Sequence, residues 1–197
     1  PIEAPSSAKY VLRFDCYEGC ELPTDTNWSM FKVDLTFGNL RLKTANMKMK
    51  DGMCGWYHRF EEAVVEWPED GDMCPDVVIS LSTKTAIMGR SRVGFYRFKA
   101  KDILDKTKSA LPADAAGIGG RARRAATSGG QQASRRNLKP QPQWIQMRPD
   151  PLSFNLKDGS IPGILLCSIQ LLPEEDAKTF ARHGGPKYNK KRRYRFF

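Results

Sequence analysis

The chain has 197 residues, a hydrophobic content of 40%, four tryptophans and a formal net charge of +10. That apolar content is ordinary for a globular domain and excludes a wholly disordered chain. The positive charge is uneven, because residues 106–142 and 177–197 carry net charges of +7 and +8 and leave the rest at −5. A nucleic-acid-binding fold would hold its basic residues on the ordered surface, so this distribution argues against that class.

The five cysteines show no repeated CxxC spacing, which favours reduced, partly buried thiols over a disulfide framework. A zinc site built from Cys16, Cys20 and His58 is an alternative that has no recognisable spacing. The longest apolar run, IPGILLCSIQLL, contains Pro162 and Gln170 and is shorter than the roughly 18 residues of a membrane span. We therefore expect any membrane anchor to lie outside this sequence, which reads as an excerpt from a longer protein.

The first half of the chain alternates with a period of two. In KYVLRFDCYEG, Tyr10, Leu12, Phe14 and Cys16 occupy every second position, which predicts a strand with one packed face. MFKVDLTFG alternates in the same way, and the dipeptide at 38–39, Gly-Asn, predicts a tight turn into LRLKT. WYHRFEEAVVEW fits a helix or a strand, and the pattern leaves both open.

The second half predicts further strands around two interruptions. PDVVISL and the apolar positions Val93, Phe95 and Phe98 predict two strands joined by a loop, STKTAIMGRS, and a short helix follows over Lys99–Asp105. From 109 to 142 the chain is rich in Ala, Gly, Ser, Gln, Pro and Arg, which predicts a disordered insertion because too little apolar surface is available to offset the ordering entropy. QWIQM and GILLCSIQLL then resume strand patterns.

Seven or eight short strands with few helices predict an antiparallel β-sandwich. Because the last strands are needed to complete the strand count, the insertion lies inside one domain. The predicted organisation is a linker at 1–8, one domain at 9–176 with a flexible basic insertion at 106–142, and a basic linker with the start of a following domain at 177–197.

Several segments in this order resemble a C2 domain of the ferlin family. YVLRFDCYEGCELP is similar to that family's opening strand and first loop, and GWYHRF to a strand preceded by tryptophan. PDVVISL with SRVGFYRFKAKDIL resembles the family's later strands and helix, and IPGILLCSIQLLP its closing strand. The resemblance implies an all-β fold, an eight-stranded antiparallel C2-type β-sandwich with three loops at one end. In calcium-binding members, aspartates on these loops hold the ion.

The sequence departs from the calcium-binding pattern of the family. In the first loop only Asp25 matches an aspartate ligand, and Met30 stands where a second is expected. Ser82, Thr83 and Lys84 occupy the ligand positions of the third loop. Calcium takes six to eight oxygen ligands, and a lysine about 6 Å from the ion costs on the order of 5 kcal/mol at an effective dielectric of about 20. We therefore expect no calcium and no other cofactor.

Two groups of residues are candidates for phospholipid binding. In some C2 domains a lysine-rich groove binds phosphoinositides without calcium, but the same lysines also suit a solvated strand face. Apolar side chains at the loop tips could enter a bilayer, or pack beneath the loops instead. The candidates are Arg41, Lys43, Lys48 and Lys50 in the basic run, and Trp28, Met30, Ile87 and Met88 at the tips.

Catalysis has little support, because the chain has two histidines and no nucleophile elbow, phosphate loop or paired carboxylates in apolar surroundings. The sequence predicts a non-catalytic, calcium-independent C2 module of a ferlin-like multi-domain protein of membrane trafficking and fusion. Anionic lipids or neighbouring C2 domains of the same chain would be its partners, at the cytoplasmic face of membranes. The alternative is a structural protein-interaction scaffold domain without lipid binding, and nucleic-acid binding through the basic segments is weaker still.

Overall fold

The computed structural model describes residues 5–23, 30–85, 89–110, 142–151, 161–180 and 182. The elements within these ranges are β1 (Ser7–Cys20), β2 (Met30–Phe37), β3 (Leu40–Lys43), β4 (Met47–Lys48), β5 (Cys54–Arg59), β6 (Ala63–Pro68), β7 (Val77–Thr85), β8 (Gly89–Phe98), α1 (Ala100–Ala110), β9 (Gln143–Gln146), β10 (Arg148–Pro149), β11 (Ile164–Pro173) and α2 (Glu174–Thr179).

The strands form two antiparallel sheets. The first sheet has the order β5–β1–β11–β9, with β6 also paired to β1, and the second has the order β10–β8–β7–β2–β3, with β4 also paired to β2. The short strands β3 and β4 both pair with β2, and β5 and β6 both pair with β1. The strands β9 and β10 follow each other directly in the chain but belong to different sheets. If each of these three pairs is counted as one interrupted strand, the described residues contain eight strands. The predicted sandwich is therefore confirmed.

The core lies between the sheets and is filled by alternate residues of the long strands. Phe14 on β1 and Phe31, Leu35 and Phe37 on β2 are at most 1% exposed. The turn from β2 into β3 is the predicted one, since Phe37 pairs with Leu40 across two residues. The period-two pattern read from the sequence thus identified the inward face of these strands correctly.

The structure decides one open question and changes two local predictions. The segment that fitted either a helix or a strand forms two strands, β5 and β6. The predicted loop STKTAIMGRS was largely wrong, because residues 82–85 continue β7 and residues 89–91 already belong to β8. The helix is longer than predicted and ends at Ala110, because Ile103, Leu104 and Thr107 form a buried face that continues past Asp105.

The outer face of β1 also differs from the prediction of a single packed face. Arg13, Asp15 and Tyr17 point away from the core but are at most 5% exposed. The helix α2 contacts both β1 and β11, and Arg182 bonds to Asp15 on this same face. Sequence alternation missed this packing, because the residues that provide it follow the last strand.

Candidate anion-binding face

The outer face of the second sheet carries a cluster of cations drawn from five strands. Residues opposite each other on antiparallel strands project from the same side of the sheet, with Cβ atoms about 5 Å apart. The described register therefore places seven basic side chains on one surface, called the basic face below: Lys32, Arg41, Lys43, Lys48, Lys84, Arg92 and Arg97.

One row of this face crosses three strands beside the tip of the sandwich. Met30, the first residue of β2, is opposite Lys48 on β4 and opposite Lys84 on β7. Both lysines are exposed, and Met30 is 43% exposed between them. An apolar side chain flanked by two cations is an arrangement suited to an interface with anionic headgroups above acyl chains.

The centre of the basic face is a half-enclosed polar patch. Lys32 is only 8% exposed, and its Nζ lies 2.9 Å from Oδ1 of Asp34, two residues along β2 on the same side. Ser82 is opposite Lys32 and is also paired with Arg92, whose guanidinium forms an ion pair with buried Asp150. The two carboxylates thus pair with two cations of the basic face, of which Lys32 is buried and Arg92 is exposed.

The far rows are more exposed. Lys43 is opposite Asp34, and Arg41 is opposite Thr36, so both project beside β2. Arg97 on β8 forms an ion pair of 3.5 Å with Asp76. Among the described residues, Lys43 and Lys84 form no ion pair, so the basic face keeps a surplus of positive charge.

The predicted lipid-binding residues divide into two groups. Arg41, Lys43 and Lys48 lie exposed on the basic face, and Lys50 is exposed beside it, in a bridge to Met53 across a tight turn. The structure brings Met30 opposite Lys48. The remaining predicted residues, Trp28, Ile87 and Met88, and the remnant calcium ligand Asp25, lie outside the described residues.

Sequence reasoning missed Lys32, Arg92 and Arg97, and it placed Lys84 in a loop. The strand pattern of β2 already put Lys32 on the outward side, which was the available signal. Its proximity to Lys84 and Arg92 depends on which strands pair and in which register, and alternation within one strand does not contain that information.

Metal ligands do not converge in the part of the chain that the structure describes. Within that part, no three His, Cys, Asp or Glu side chains are grouped as a metal site would require. Cys16 is opposite His58 in the β1–β5 pair, but its thiol is fully buried, and burial is the main cause that raises its pKa. The same effect raises the pKa of Cys20 to about 11. The zinc alternative therefore gains no support.

No helix among the described residues is long and apolar enough to cross a bilayer.

Comparison with protein-family models gives no match, and comparison with curated proteins gives none either. Among solved structures, a chain of extended synaptotagmin 2 that holds its SMP domain and two C2 domains matches with a TM-score of 0.50 and 14% identity, over 84% of this chain and 28% of that one. A single C2 domain of a plant extended synaptotagmin 1 matches with a TM-score of 0.48 and 11% identity, over 87% and 98% of the two chains.

The strand pairing and the likeness to extended synaptotagmin 2 define the class: the fold is a C2-type β-sandwich. At these identities the likeness establishes the fold alone. The narrower assignment to the ferlin family stays a prediction.

Proposed function

We propose that this chain is a non-catalytic, calcium-independent C2 module that binds anionic phospholipid through the basic face of its second sheet. In this proposal it belongs to a ferlin-like, multi-domain protein of membrane trafficking and fusion. It acts at the cytoplasmic face of membranes, where its basic face meets the headgroups. The observation that carries the proposal is that Lys48, Met30 and Lys84 form one row of a surface that also carries Lys43.

The charge distribution supports this use of the face. Each Lys or Arg near an anionic membrane surface contributes about 1 kcal/mol, and the attraction decays over a Debye length of about 10 Å at 0.1 M salt. A sheet face can bring several cations within that distance at once. Met30 adds an apolar contact in the middle of the charged row.

The positions that would hold calcium in related domains support calcium independence. Ser82 and Thr83 are built into β7 and are each 6% exposed, so their side chains do not project from a loop tip. Lys84 is the exposed residue next in line, opposite Met30. A divalent cation there would meet an ammonium group where several carboxylates are needed.

Vesicle co-sedimentation tests the lipid proposal. The triple variant Lys43→Ala, Lys48→Ala, Lys84→Ala should bind phosphatidylcholine vesicles containing phosphatidylserine or phosphatidylinositol bisphosphate roughly 100-fold more weakly, which corresponds to about 3 kcal/mol for three cations. Raising the salt concentration should weaken wild-type binding in the same direction, because the attraction is screened.

A matched variant separates position from net charge. Lys9→Ala, Lys99→Ala, Lys106→Ala removes the same charge from exposed positions outside the basic face, so it should keep most of the binding. Equal losses in the two triple variants would show that only net charge matters, and the basic face would then have no special role.

Calorimetric titration with calcium tests the other half of the proposal. We expect no stoichiometric heat up to millimolar calcium, because too few carboxylates are available to replace the ion's water ligands. A saturable heat with a one-to-one or higher stoichiometry, or vesicle binding that requires calcium, would contradict calcium independence.

A second candidate function rests on an acidic segment of the chain. Residues 61–76 contain seven carboxylates and no basic residue, and Met73 within them is 61% exposed. Such a surface suits a basic protein partner, as expected of a scaffold domain. Protein binding that survives the Lys43, Lys48, Lys84 variant, together with no vesicle binding by the wild type, would favour this function.

A further inference from the structure

The outer face of β1 holds a buried set of charged groups that the lipid proposal does not use. Asp15 is 2% exposed and Arg13 is 5% exposed, although both point away from the core. A buried carboxylate is tolerated only when it is well paired, since its charge is costly to remove from water. The partners of Asp15 therefore identify the segment that packs on this face.

Arg182 is the main partner, and it lies beyond the last strand. Its guanidinium forms an ion pair with Oδ1 of Asp15 and donates hydrogen bonds to the carbonyl oxygens of Phe14, at 2.9 Å, and Phe60. The Arg182 side chain is 10% exposed. Arginine is suited to such a place because its planar group presents several donors in a fixed geometry.

A second arginine, which lies on β1 itself, binds the helix α2 that precedes Arg182. Arg13 of β1 donates a hydrogen bond of 3.0 Å to the carbonyl oxygen of Ala177 in α2, and its Nε lies 2.8 Å from Glu62. Thus one arginine of the strand reaches out to α2, and one arginine after α2 reaches back to the strand. The segment is held against β1 at both of these points.

We propose that Asp15, the Phe14 carbonyl and the Phe60 carbonyl form a guanidinium-binding pocket, and that residues 174–180 together with Arg182 are an intramolecular latch that fills it. The latch closes the outer face of the first sheet, so the stable unit of the domain extends to Arg182. Arg182 thus lies on the sheet opposite the basic face.

Substitution of Arg182 in the full chain tests the pocket. Arg182→Ala leaves buried Asp15 with the Tyr17 hydroxyl and the longer contact to Arg59, at 3.6 Å, and should lower the thermal midpoint by roughly 5–10 °C. Methylguanidinium at low millimolar concentration should restore part of the midpoint, and methylammonium at the same concentration should not. The matched control is Lys178→Ala, which removes an exposed ion pair to Glu174 in α2 and should leave the midpoint nearly unchanged.

Hydrogen exchange gives a second readout that does not depend on global stability. In Arg182→Lys, which keeps the charge but loses the planar donor set, the amides of residues 174–180 should exchange several-fold faster than in wild type, while those of β2 and β7 stay protected. An Arg182→Ala midpoint loss no larger than that of Lys178→Ala would overturn the proposal. Equal rescue by the two cations, or unchanged exchange in α2, would overturn it as well.

The latch proposal and the lipid proposal can be tested independently of each other. Arg182 lies on the opposite sheet from the basic face, so vesicle binding by Arg182→Ala should match wild type. The Lys43, Lys48, Lys84 variant should in turn leave α2 exchange unchanged.

Discussion

At the residue scale, the turn between β2 and β3 depends on a missing side chain. Gly38 has φ of +56°, and a Cβ atom placed there would lie 2.2 Å from the ring of Trp67. Trp67 itself packs against Phe37 with ring centroids 5.6 Å apart. A two-residue turn and the approach of an aromatic ring therefore require glycine at the same position.

We predict that Gly38→Ala lowers the free energy of unfolding by about 2–4 kcal/mol. A non-glycine residue in the left-handed region costs about 1 kcal/mol or slightly more, and overpacking against a fixed ring typically adds about 1–3 kcal/mol. Urea unfolding at equilibrium measures the change.

Gly52→Ala is the matched control for this prediction. Gly52 also has a positive φ, +74°, but a Cβ atom there meets nothing within 4 Å. The free energy of unfolding of Gly52→Ala should fall by only about 1 kcal/mol, the cost of placing a non-glycine residue in the left-handed region. Similar losses in the two variants would mean that Trp67 moves aside and that the ring contact has no energetic role.

The residues of β2 show which features of single residues the sequence can predict and which it cannot. Phe31, Val33, Leu35 and Phe37 could be assigned inward from alternation alone, and they are buried. Lys32 could be assigned outward, but its near burial beside Asp34 could not. That burial comes from neighbours contributed by other strands.

At the element scale, the strands themselves were predictable, and their irregularities were not. A register shift between Leu81 and Ser82 places Gly94 opposite Leu81 and Arg92 opposite Ser82. As a result, Phe95 is paired with Ser80 on the outer side, while Tyr96 and Phe98 pack on the core. Alternation starting from Val93 would put Phe95 inside, because a bulge changes which residues face the core without a sequence signal of its own.

The candidate face shows the same division between local and long-range information. Lys43 and Lys48 belong to one short stretch of sequence, so their clustering was visible before the fold. Lys84 and Arg92 join them only because β7 lies between β2 and β8. The latch is more remote still, since Arg182 and Asp15 are 167 positions apart, and no pattern within either segment indicates the other.

At the scale of the whole molecule, the buried cysteines should make the folded protein less stable as the pH becomes alkaline. Cys16, Cys54 and Cys167 are at most 2% exposed inside the sandwich. Burial raises the pKa of Cys54 and of Cys167 to about 12, and it is also the main cause that raises the pKa of Cys16. In the unfolded chain, thiols of this kind ionise near pH 8.5.

The sign of the effect follows from these pKa values. Above about pH 8.5 the unfolded chain releases thiol protons that the folded chain keeps, so the unfolded state binds fewer protons and stability falls as pH rises. Each such thiol contributes its full stabilisation below about pH 8.5. It loses this contribution progressively up to the folded pKa, about 12 for Cys54 and Cys167.

We therefore predict that the free energy of unfolding, measured with urea under reducing conditions, falls by about 1–2 kcal/mol per buried thiol between about pH 8 and pH 10. The variant Cys54→Ala removes one ionisable group from the interior, so its stability should be lower at the start of this interval but should decline less steeply across it. The difference in slope isolates the thiol from every lysine and tyrosine that both proteins share. Parallel pH profiles for the two proteins would show that Cys54 ionises as easily in the folded chain as in the unfolded one, which its position inside the sandwich should prevent.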